Sequence, residues 1–202
     1  YGYLKVIAHR IFWRLLLNHT ETLLAAVSNR VGEIHRQYHL HGREILVKYN
    51  GIKVVKPGAR KTELKHLRVG YLGALIEAKG VRILIKAFNK LKRKNAGLTL
   101  YGQDGFGGNK LEKMIGGDSR IKLAPTFDHR DLPKVLANLD LLVVPSTYEE
   151  AFCLVVSEGL AAHLPMIVSG IGGMPERVID KVNGFLVRPG SVTDLSKKLD
   201  HV

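Results

Sequence analysis

The sequence has 202 residues, of which 46% are hydrophobic and 24% are charged, as in an ordinary globular protein. Its 31 Lys and Arg residues exceed its 18 Asp and Glu residues, so the net charge is +13 and an anionic partner is expected. A single cysteine excludes an internal disulfide framework, and no apolar run reaches the roughly 18 residues that a membrane span needs.

Three classes of anionic partner fit this charge: nucleotide phosphates, anionic lipid headgroups and nucleic acid. The sequence has no aromatic-interleaved RNA motif, zinc-finger spacing or basic zipper, so we expect no nucleic-acid partner. A solvated basic surface without a partner explains the charge equally well. The chain starts at Tyr1 rather than Met, has no signal peptide and holds one cysteine, so we expect a fragment of a cytoplasmic protein.

The first predicted element is a basic amphipathic helix that ends near Asn18. Apolar residues outnumber polar ones between positions 1 and 20, and the basic side chains Lys5, His9, Arg10 and Arg14 are interspersed among them. A helix of this kind that carries Phe12 and Trp13 suits peripheral contact with an anionic membrane. Packing on a neighbouring domain is the interpretation we favour.

A short α/β segment comes next. We predict a strand at 22–28, a helix at 29–38 that Ser28 caps, and a strand from 44 that ends in a turn at Asn50 and Gly51. The charged stretch that contains Pro57 and Gly58 is typical of an interdomain linker. The chain is therefore divided into residues 1–52, the tail of one domain, a linker at 53–66, and a second domain at 67–202.

Strands and helices alternate throughout the second domain. Strands are predicted at 67–73, 98–102, 120–124, 141–144, 166–169 and 185–187, and helices at 80–92, 109–115, 130–138, 152–163, 175–179 and from 192. This alternation predicts an α/β fold with a Rossmann-like, doubly wound parallel sheet. Ligands of such sheets bind beyond the carboxyl ends of the strands.

The stretch from 141 to 164, LLVVPSTYEEAFCLVVSEGLAAHL, contains a buried strand, a polar loop and a helix. Free N–H groups in the first turn of the helix favour an anion, whereas Glu150 in the loop and Glu158 in the helix suit neutral hydroxyl groups, such as those of a sugar and a ribose. Spacing alone favours a simpler interpretation, in which Glu150 satisfies the helix macrodipole and Glu158 is an exposed helix residue.

Three segments, PSTYEEAFCLVVSEGLA, LPMIVSGIGGMPERVI and NGFLVRPG, resemble the C-terminal half of the retaining family 4 glycosyltransferases. Those enzymes have two Rossmann-like domains, the GT-B fold, and transfer a sugar from a nucleotide sugar without a metal. The resemblance implies that Glu150 contacts the donor sugar and Glu158 the ribose. It implies no cofactor and no metal ligands, because the nucleotide-diphosphate sugar is itself the substrate.

The loop after the first strand of this domain matches the family in part. Lys79 and Gly80 match a Lys-Gly pair, which implies that Lys79 is catalytic and neutralises the departing diphosphate. The alternative is an ordinary surface lysine. Gly73 and Ala74 belong to the same donor-binding loop, but Ala74 stands where the family has an arginine. Loss of that bidentate phosphate contact costs on the order of 3 kcal/mol of transition-state stabilisation.

The predicted helix start also departs from the family pattern. Ala151 and Cys153 stand where the family usually has glycine, which lets the backbone approach a phosphate closely. A thiol at a helix start tends to have a lowered pKa. The resemblance makes Phe152, Cys153 and Leu154 donor-binding residues, with the base near Phe127.

A third loop carries two more glycines and a glutamate. We predict that Gly172, Gly173 and Glu176 are structural and turn a strand into a helix.

The sequence thus predicts a retaining glycosyltransferase of the hexosyltransferase type that uses a nucleotide sugar and a saccharide or lipid-linked acceptor in polysaccharide or glycolipid biosynthesis. Most of the N-terminal domain is missing, so the chain should bind the donor but transfer poorly. Two alternatives stay open: a catalytically degenerate nucleotide-sugar-binding subunit, and a GT-B-like sugar-nucleotide epimerase or hydrolase.

Overall fold

The computed structural model of the protein describes residues 2–19, 23–39, 44–53 and 66–202. The predicted linker, 53–66, lies almost wholly outside the described residues. The chain forms two compact units, Tyr1–Gly51 and Ile52–Val202.

The described residues of the smaller unit form two helices and two strands. These are α1 (Gly2–His19), β1 (Leu23–Ala26), α2 (Asn29–Gln37) and β2 (Glu44–Val47), and β1 pairs with β2 in parallel. The side chain of Ser28 caps α2 by accepting a hydrogen bond from the Val31 amide at 3.2 Å. The second strand is shorter than predicted, because irregular backbone follows Val47. No helix in the described parts of the chain is long and apolar enough to cross a membrane.

The larger unit is built on six strands that all run in parallel. They are β3 (Leu67–Leu72), β4 (Ala96–Tyr101), β5 (Ile121–Ala124), β6 (Leu141–Val144), β7 (Met166–Ser169) and β8 (Phe185–Val187). Their order in the sheet is β5-β4-β3-β6-β7-β8. This is the Rossmann order, in which the chain winds outward from the centre in both directions. The predicted doubly wound α/β fold is confirmed, and its switch point lies between β3 and β6.

Five helices cover the two faces of this sheet. They are α3 (Val81–Asn89), α4 (Lys110–Ile115), α5 (Leu132–Ala137), α6 (Leu154–Ala161) and α7 (Val192–His201). Successive residues of β3 enter different apolar clusters, since side chains alternate between the faces of a strand. One cluster contains Val69 with Phe88 of α3 and Leu199 of α7, and the other contains Leu72 with Val156 of α6.

Several predicted helices are shorter than expected or begin as a 3₁₀ turn. Such turns occupy Glu77–Lys79, His129–Asp131 and Met174–Glu176. The helix predicted from 152 begins at Leu154, because Cys153 has a left-handed φ of 62° that a right-handed helix cannot include.

Candidate functional site

The two loops that leave the switch point bring a lysine and a glutamate into contact. Lys79 follows β3 and Glu150 follows β6, the two central strands of the sheet. The distance from Lys79 Nζ to Glu150 Oε1 is 2.6 Å. The Glu150 side chain is 7% exposed and that of Lys79 is 27% exposed, so the ion pair is largely buried. The two residues predicted to be catalytic therefore meet at the switch point.

Two hydroxyl groups of the same loop complete the environment of the Glu150 carboxylate. Ser146 Oγ donates to Oε1 at 2.7 Å, and the Tyr148 hydroxyl donates to Oε2 at 2.9 Å. The first turn of α6 contains no acidic residue, since the helix begins at Leu154. Glu150 is thus a buried carboxylate that two hydroxyl groups hold by hydrogen bonds. It is not part of the first turn of α6, where it would have satisfied the helix macrodipole.

The titratable groups around this pair have shifted pKa values. Burial alone would lower the pKa of Lys79, but its hydrogen bonds to Glu150 and Tyr148 outweigh burial and raise that pKa above 10.5. Burial, and then the charge of Glu150, raises the pKa of Tyr71. Lys79 therefore remains a cation, and the neutral Tyr71 hydroxyl donates to the Ala74 carbonyl at 2.8 Å.

Close backbone contact fixes the loop after β3 against the loop after β6. Gly80 has a φ of 75°, and a Cβ at this position would lie 1.9 Å from the Pro145 carbonyl oxygen. The amide and the hydroxyl of Thr147 both donate to the Ala78 carbonyl, at 2.9 and 3.0 Å. Lys79 lies between these two attachment points, so its distance from Glu150 is set by the backbone.

The loop after β7 holds the main chain of Glu150. The Gly173 amide donates to the Glu150 carbonyl at 2.8 Å. Gly172 has a φ of 64°, and a Cβ there would lie 2.3 Å from the same carbonyl oxygen. Both glycines therefore have a structural role, which is to hold the glutamate in place.

Glu158 lies on α6 and is 8% exposed, so it is not the exposed helix glutamate of the simpler interpretation. Its Oε1 atom accepts a hydrogen bond from His129 Nε2 at 2.9 Å. His129 follows β5 along the chain, and its side chain is 76% exposed. The exposed imidazole of His129 therefore lies between solvent and the buried carboxylate of Glu158.

The N-terminus of α6 has no side-chain cap. Cys153 occupies the N-cap position with φ 62° and ψ 82°, and its side chain makes no capping hydrogen bond. An uncapped helix start that lacks acidic residues favours an anion.

The expected fall in the Cys153 thiol pKa is wrong. Burial, followed by the nearby charge of Glu150, raises the pKa of Cys153 to about 11. These two effects outweigh the positive end of the helix, so the thiol stays neutral at pH 7.

An arginine from the loop after β7 supports this helix start. The guanidinium carbon of Arg177 lies 3.8 Å from the ring centroid of Phe152. Its Nη1 atom donates to the Cys153 carbonyl at 3.2 Å and to Ser157 Oγ at 2.5 Å. Phe152 is only 5% exposed, so its side chain packs under Arg177, while its backbone belongs to the turn that opens α6.

The remaining predicted donor-binding residues lie at the same edge of the sheet. Gly73 and Ala74 follow β3, and Ala74 is exposed. Phe127 follows β5, is half-buried, and packs edge to face on Tyr101 with ring centroids 5.8 Å apart. Leu154, the first residue of α6, is 48% exposed.

Sequence reasoning missed four side chains of this site. Ser146 and Tyr148 lie four and two positions before Glu150, and this spacing in a short loop is a signal that could have identified them. His129 and Arg177 gave no signal, because they reach the site only through the order of the strands.

The described residues contain no group of three or more His, Cys, Asp and Glu side chains that could hold a metal ion.

Residues 66–202 match the family model described as "Glycosyl transferases group 1". An uncharacterized glycosyltransferase of Methanocaldococcus jannaschii is 32% identical over 136 residues, which cover 65% of this chain and 34% of that protein. The D-inositol 3-phosphate glycosyltransferase of Mycobacterium tuberculosis H37Ra is 28% identical over 195 residues, 87% of this chain and 40% of that protein. The chain thus spans less than half the length of these curated relatives.

Solved structures show the same architecture. HepE of Anabaena, in complex with UDP and glucose, has a TM-score of 0.81 at 24% identity, over 95% of this chain and 57% of its own. The C-terminal domain of LpcC, a glycosyl transferase group 1 family protein of Francisella tularensis, has a TM-score of 0.64 at 26% identity, over 75% of this chain and 87% of its own. The family model covers more than half of the sequence, and the fold agrees with it: the chain belongs to the group 1 glycosyltransferases.

Proposed function

We propose that the protein carries the donor site of a retaining glycosyltransferase, which moves a sugar from a nucleoside diphosphate sugar to a hydroxyl of a saccharide or lipid-linked acceptor. The observation that carries this proposal is the buried contact of Lys79 with Glu150 beside the uncapped start of α6. Both lie at the switch point, where Rossmann sheets bind ligands. A cation and a helix start suit a diphosphate, and a carboxylate suits the hydroxyls of a sugar.

We infer that donor binding rearranges the ion pair. Lys79 and Glu150 neutralise each other in their direct contact. A diphosphate at the start of α6 offers Lys79 a partner of higher charge. When Lys79 turns toward the phosphates, Glu150 Oε1 becomes able to accept a sugar hydroxyl. Ser146 and Tyr148 continue to hold the carboxylate, so its position does not depend on the lysine.

The nucleoside end of the donor is assigned to the other carboxylate. Glu158 is buried and its Oε1 already accepts a hydrogen bond from His129. Carboxylate oxygens each have two lone pairs, so Glu158 can accept ribose hydroxyls in addition to or in place of the imidazole. In this arrangement, the nucleotide base lies near Phe127.

In the proposed transfer, the bond from the anomeric carbon to the diphosphate oxygen breaks as the acceptor oxygen bonds to that carbon on the same face. The acceptor proton passes to the departing phosphate oxygen. Negative charge develops on the nucleoside diphosphate, and Lys79 with the first-turn N–H groups of α6 stabilises it. In the proposed reaction, protein groups rather than a metal ion supply this stabilisation.

Calorimetric titration tests the donor site. The neighbouring HepE structure contains UDP and glucose, so UDP and UDP-glucose are the first ligands, followed by a thermal-shift screen of other nucleotide sugars. We expect Lys79→Ala and Glu158→Ala each to weaken nucleotide binding about tenfold or more, and Lys110→Ala on α4 to leave it unchanged. Glu158→Ala with parental nucleotide affinity would refute the assignment.

A donor-binding subunit without turnover is the second candidate, and Ala74 favours it. Ala74 is exposed in the donor loop and supplies no guanidinium for the diphosphate. Its exposure leaves room for Ala74→Arg, which should tighten nucleotide binding. If the full-length parent binds donor without transfer and its Ala74→Arg form transfers, the second candidate holds. Transfer by the full-length parent itself supports the first.

A further inference from the structure

A pocket of about 360 Å³ in the larger unit is lined by basic side chains. We call it the basic pocket, and its basic residues are His66, Arg68, Lys94, Arg120 and Lys122. It is within the size range of small-molecule sites, at the lower end.

The sheet itself places these side chains together. Along β4, Leu98 points into the core, so its neighbours Gly97 and Thr99 face the opposite side. The parallel register sets Arg68 beside Gly97 and Lys122 beside Thr99. The strand residues of the basic pocket thus lie on the face of β3, β4 and β5 that turns away from the core cluster of α3 and α7. The guanidinium of Arg120 lies at the border of this face, 5.1 Å from the ring centroid of Phe88 in α3.

A glycine keeps the pocket open. A Cβ at Gly97 would lie 3.0 Å from His66 Nε2 and 3.7 Å from the Arg120 carbonyl oxygen. Any larger residue at 97 would therefore occupy the space between the imidazole and the strand.

The charges of this pocket are unevenly compensated. Arg68 makes a two-point contact with Asp140, at 2.9 and 2.7 Å, and Arg120 contacts Asp118 in the same way, at 3.0 and 2.7 Å. Each of these two pairs is neutral overall. Lys94 and Lys122 have no carboxylate partner in the part of the chain that the structure describes, so two positive charges are left to attract a ligand.

Hydroxyl groups line the same space. Thr99, Tyr101 and Ser119 belong to the lining beside the two lysines. A phosphate ester carries close to two negative charges at neutral pH and three acceptor oxygens. The two lysines without a carboxylate partner can balance its charge. The three hydroxyl groups can form hydrogen bonds with polar groups on the rest of the ligand.

Most of the basic pocket lies toward the amino ends of the strands, and it comes nearest to the donor site at Tyr101, the last residue of β4, whose ring packs on Phe127. Arg68 and Gly97 are the second residues of β3 and β4, whereas Lys79 and Glu150 follow the last residues of β3 and β6. A six-residue strand is about 20 Å long. A ligand on Lys94 and Lys122 therefore does not compete with the nucleotide for Lys79, Glu150 or Glu158.

We propose that the basic pocket binds a phosphorylated small molecule, whose phosphate contacts Lys94 and Lys122. This site is additional to the donor site, and its existence does not depend on glycosyl transfer.

The test measures phosphate binding to the whole chain with the donor site filled by saturating UDP. Inorganic phosphate and glucose 6-phosphate are titrated by calorimetry, and vesicles of phosphatidylglycerol are added in a sedimentation assay. The variant is Lys94→Glu with Lys122→Glu. The matched control, Lys110→Glu with Lys113→Glu on α4, changes the net charge by the same amount. Binding of UDP alone is measured in every protein.

We expect saturable binding of both soluble phosphates, with glucose 6-phosphate the tighter, and a loss of roughly tenfold or more in the variant only. UDP binding should be equal in all three proteins. The proposal is overturned if no saturable phosphate binding occurs up to about 10 mM, or if both charge-reversed proteins weaken alike. Binding to the vesicles alone would also overturn it, because the source would then be a lipid surface.

Discussion

The contact of Lys79 with Glu150 can be tested by a double-mutant cycle. In Lys79→Met, the Glu150 carboxylate stays 7% exposed and keeps only Ser146 and Tyr148 as donors. Breaking a buried ion pair on one side costs about 3–5 kcal/mol. The Lys79 side chain is 27% exposed, so water can replace part of its contact, and we reduce the expected loss of unfolding free energy to about 2 kcal/mol.

Glu150→Gln removes the charge that Lys79 compensates. In the double variant no charge is left without a partner, so its loss of stability should be smaller than the sum of the single losses by about 1–2 kcal/mol. For a chain of this size, the single Lys79→Met change should lower the melting temperature by roughly 4–8 °C. The raised pKa of Lys79 means that the stability from the pair is fully present below pH 10.5 and is lost as the pH rises through the folded-state value.

Urea unfolding of the four proteins gives the coupling energy directly. The cycle is then repeated with saturating UDP, the first proposed donor fragment. If Lys79 exchanges Glu150 for the diphosphate, the coupling should fall toward zero. A coupling below about 0.3 kcal/mol without ligand would refute the buried pair. A coupling that UDP leaves unchanged would refute the exchange.

Four further predictions concern the loops around this pair. Cys153→Gly relieves a left-handed φ of 62° but loses a half-buried thiol, so the free energy of unfolding should stay within about 1 kcal/mol of the parent. Calorimetry should show tighter UDP binding, and weaker binding would contradict this prediction. Burial raises the pKa of Cys153 to about 11, so iodoacetamide should alkylate the thiol slowly in the folded protein. For the same reason, the free energy of unfolding of the parent should fall as the pH rises from 9.0 through 11, and that of Cys153→Ala should fall less. Arg177→Met keeps an apolar contact with Phe152 but removes the hydrogen bond to the Cys153 carbonyl, so the ratio of UDP to uridine affinity should fall; an unchanged ratio would limit Arg177 to folding. Gly80→Ala puts a Cβ 1.9 Å from the Pro145 carbonyl oxygen and should cost about 3 kcal/mol or more, measured by urea unfolding; a smaller loss would mean that the two loops can separate.

Much of the sheet was predictable because its strands are short apolar runs with abrupt ends. The strands at 141–144, 166–169 and 185–187 have the predicted bounds. The start of α6 was not predictable, because Cys153 adopts a backbone conformation that its residue type disfavours. A structural role for Gly172 and Gly173 was expected from the sequence, but their contact with the main chain of Glu150 was not, because it joins the loops after β6 and β7.

For the candidate site, resemblance supplied Lys79, Glu150 and Glu158 as predictions, and spacing did not. Spacing favoured an exposed Glu158, whereas α6 buries it against the domain. The direct contact of Lys79 with Glu150 depends on β3 and β6 being neighbours, which the sequence order of the strands conceals. The His129 contact depends in the same way on where β5 ends.

If the proposed donor site is correct, the position of β5 at the edge of the sheet has a consequence for the evolution of nucleotide preference. The segment that carries Phe127 follows a strand with a single neighbour, so no second strand constrains it on its outer side. Lys79 and Glu150 are instead held by backbone bonds among three loops. We therefore expect nucleotide preference to change readily through the edge segment, while the charged centre tolerates almost no insertion or exchange.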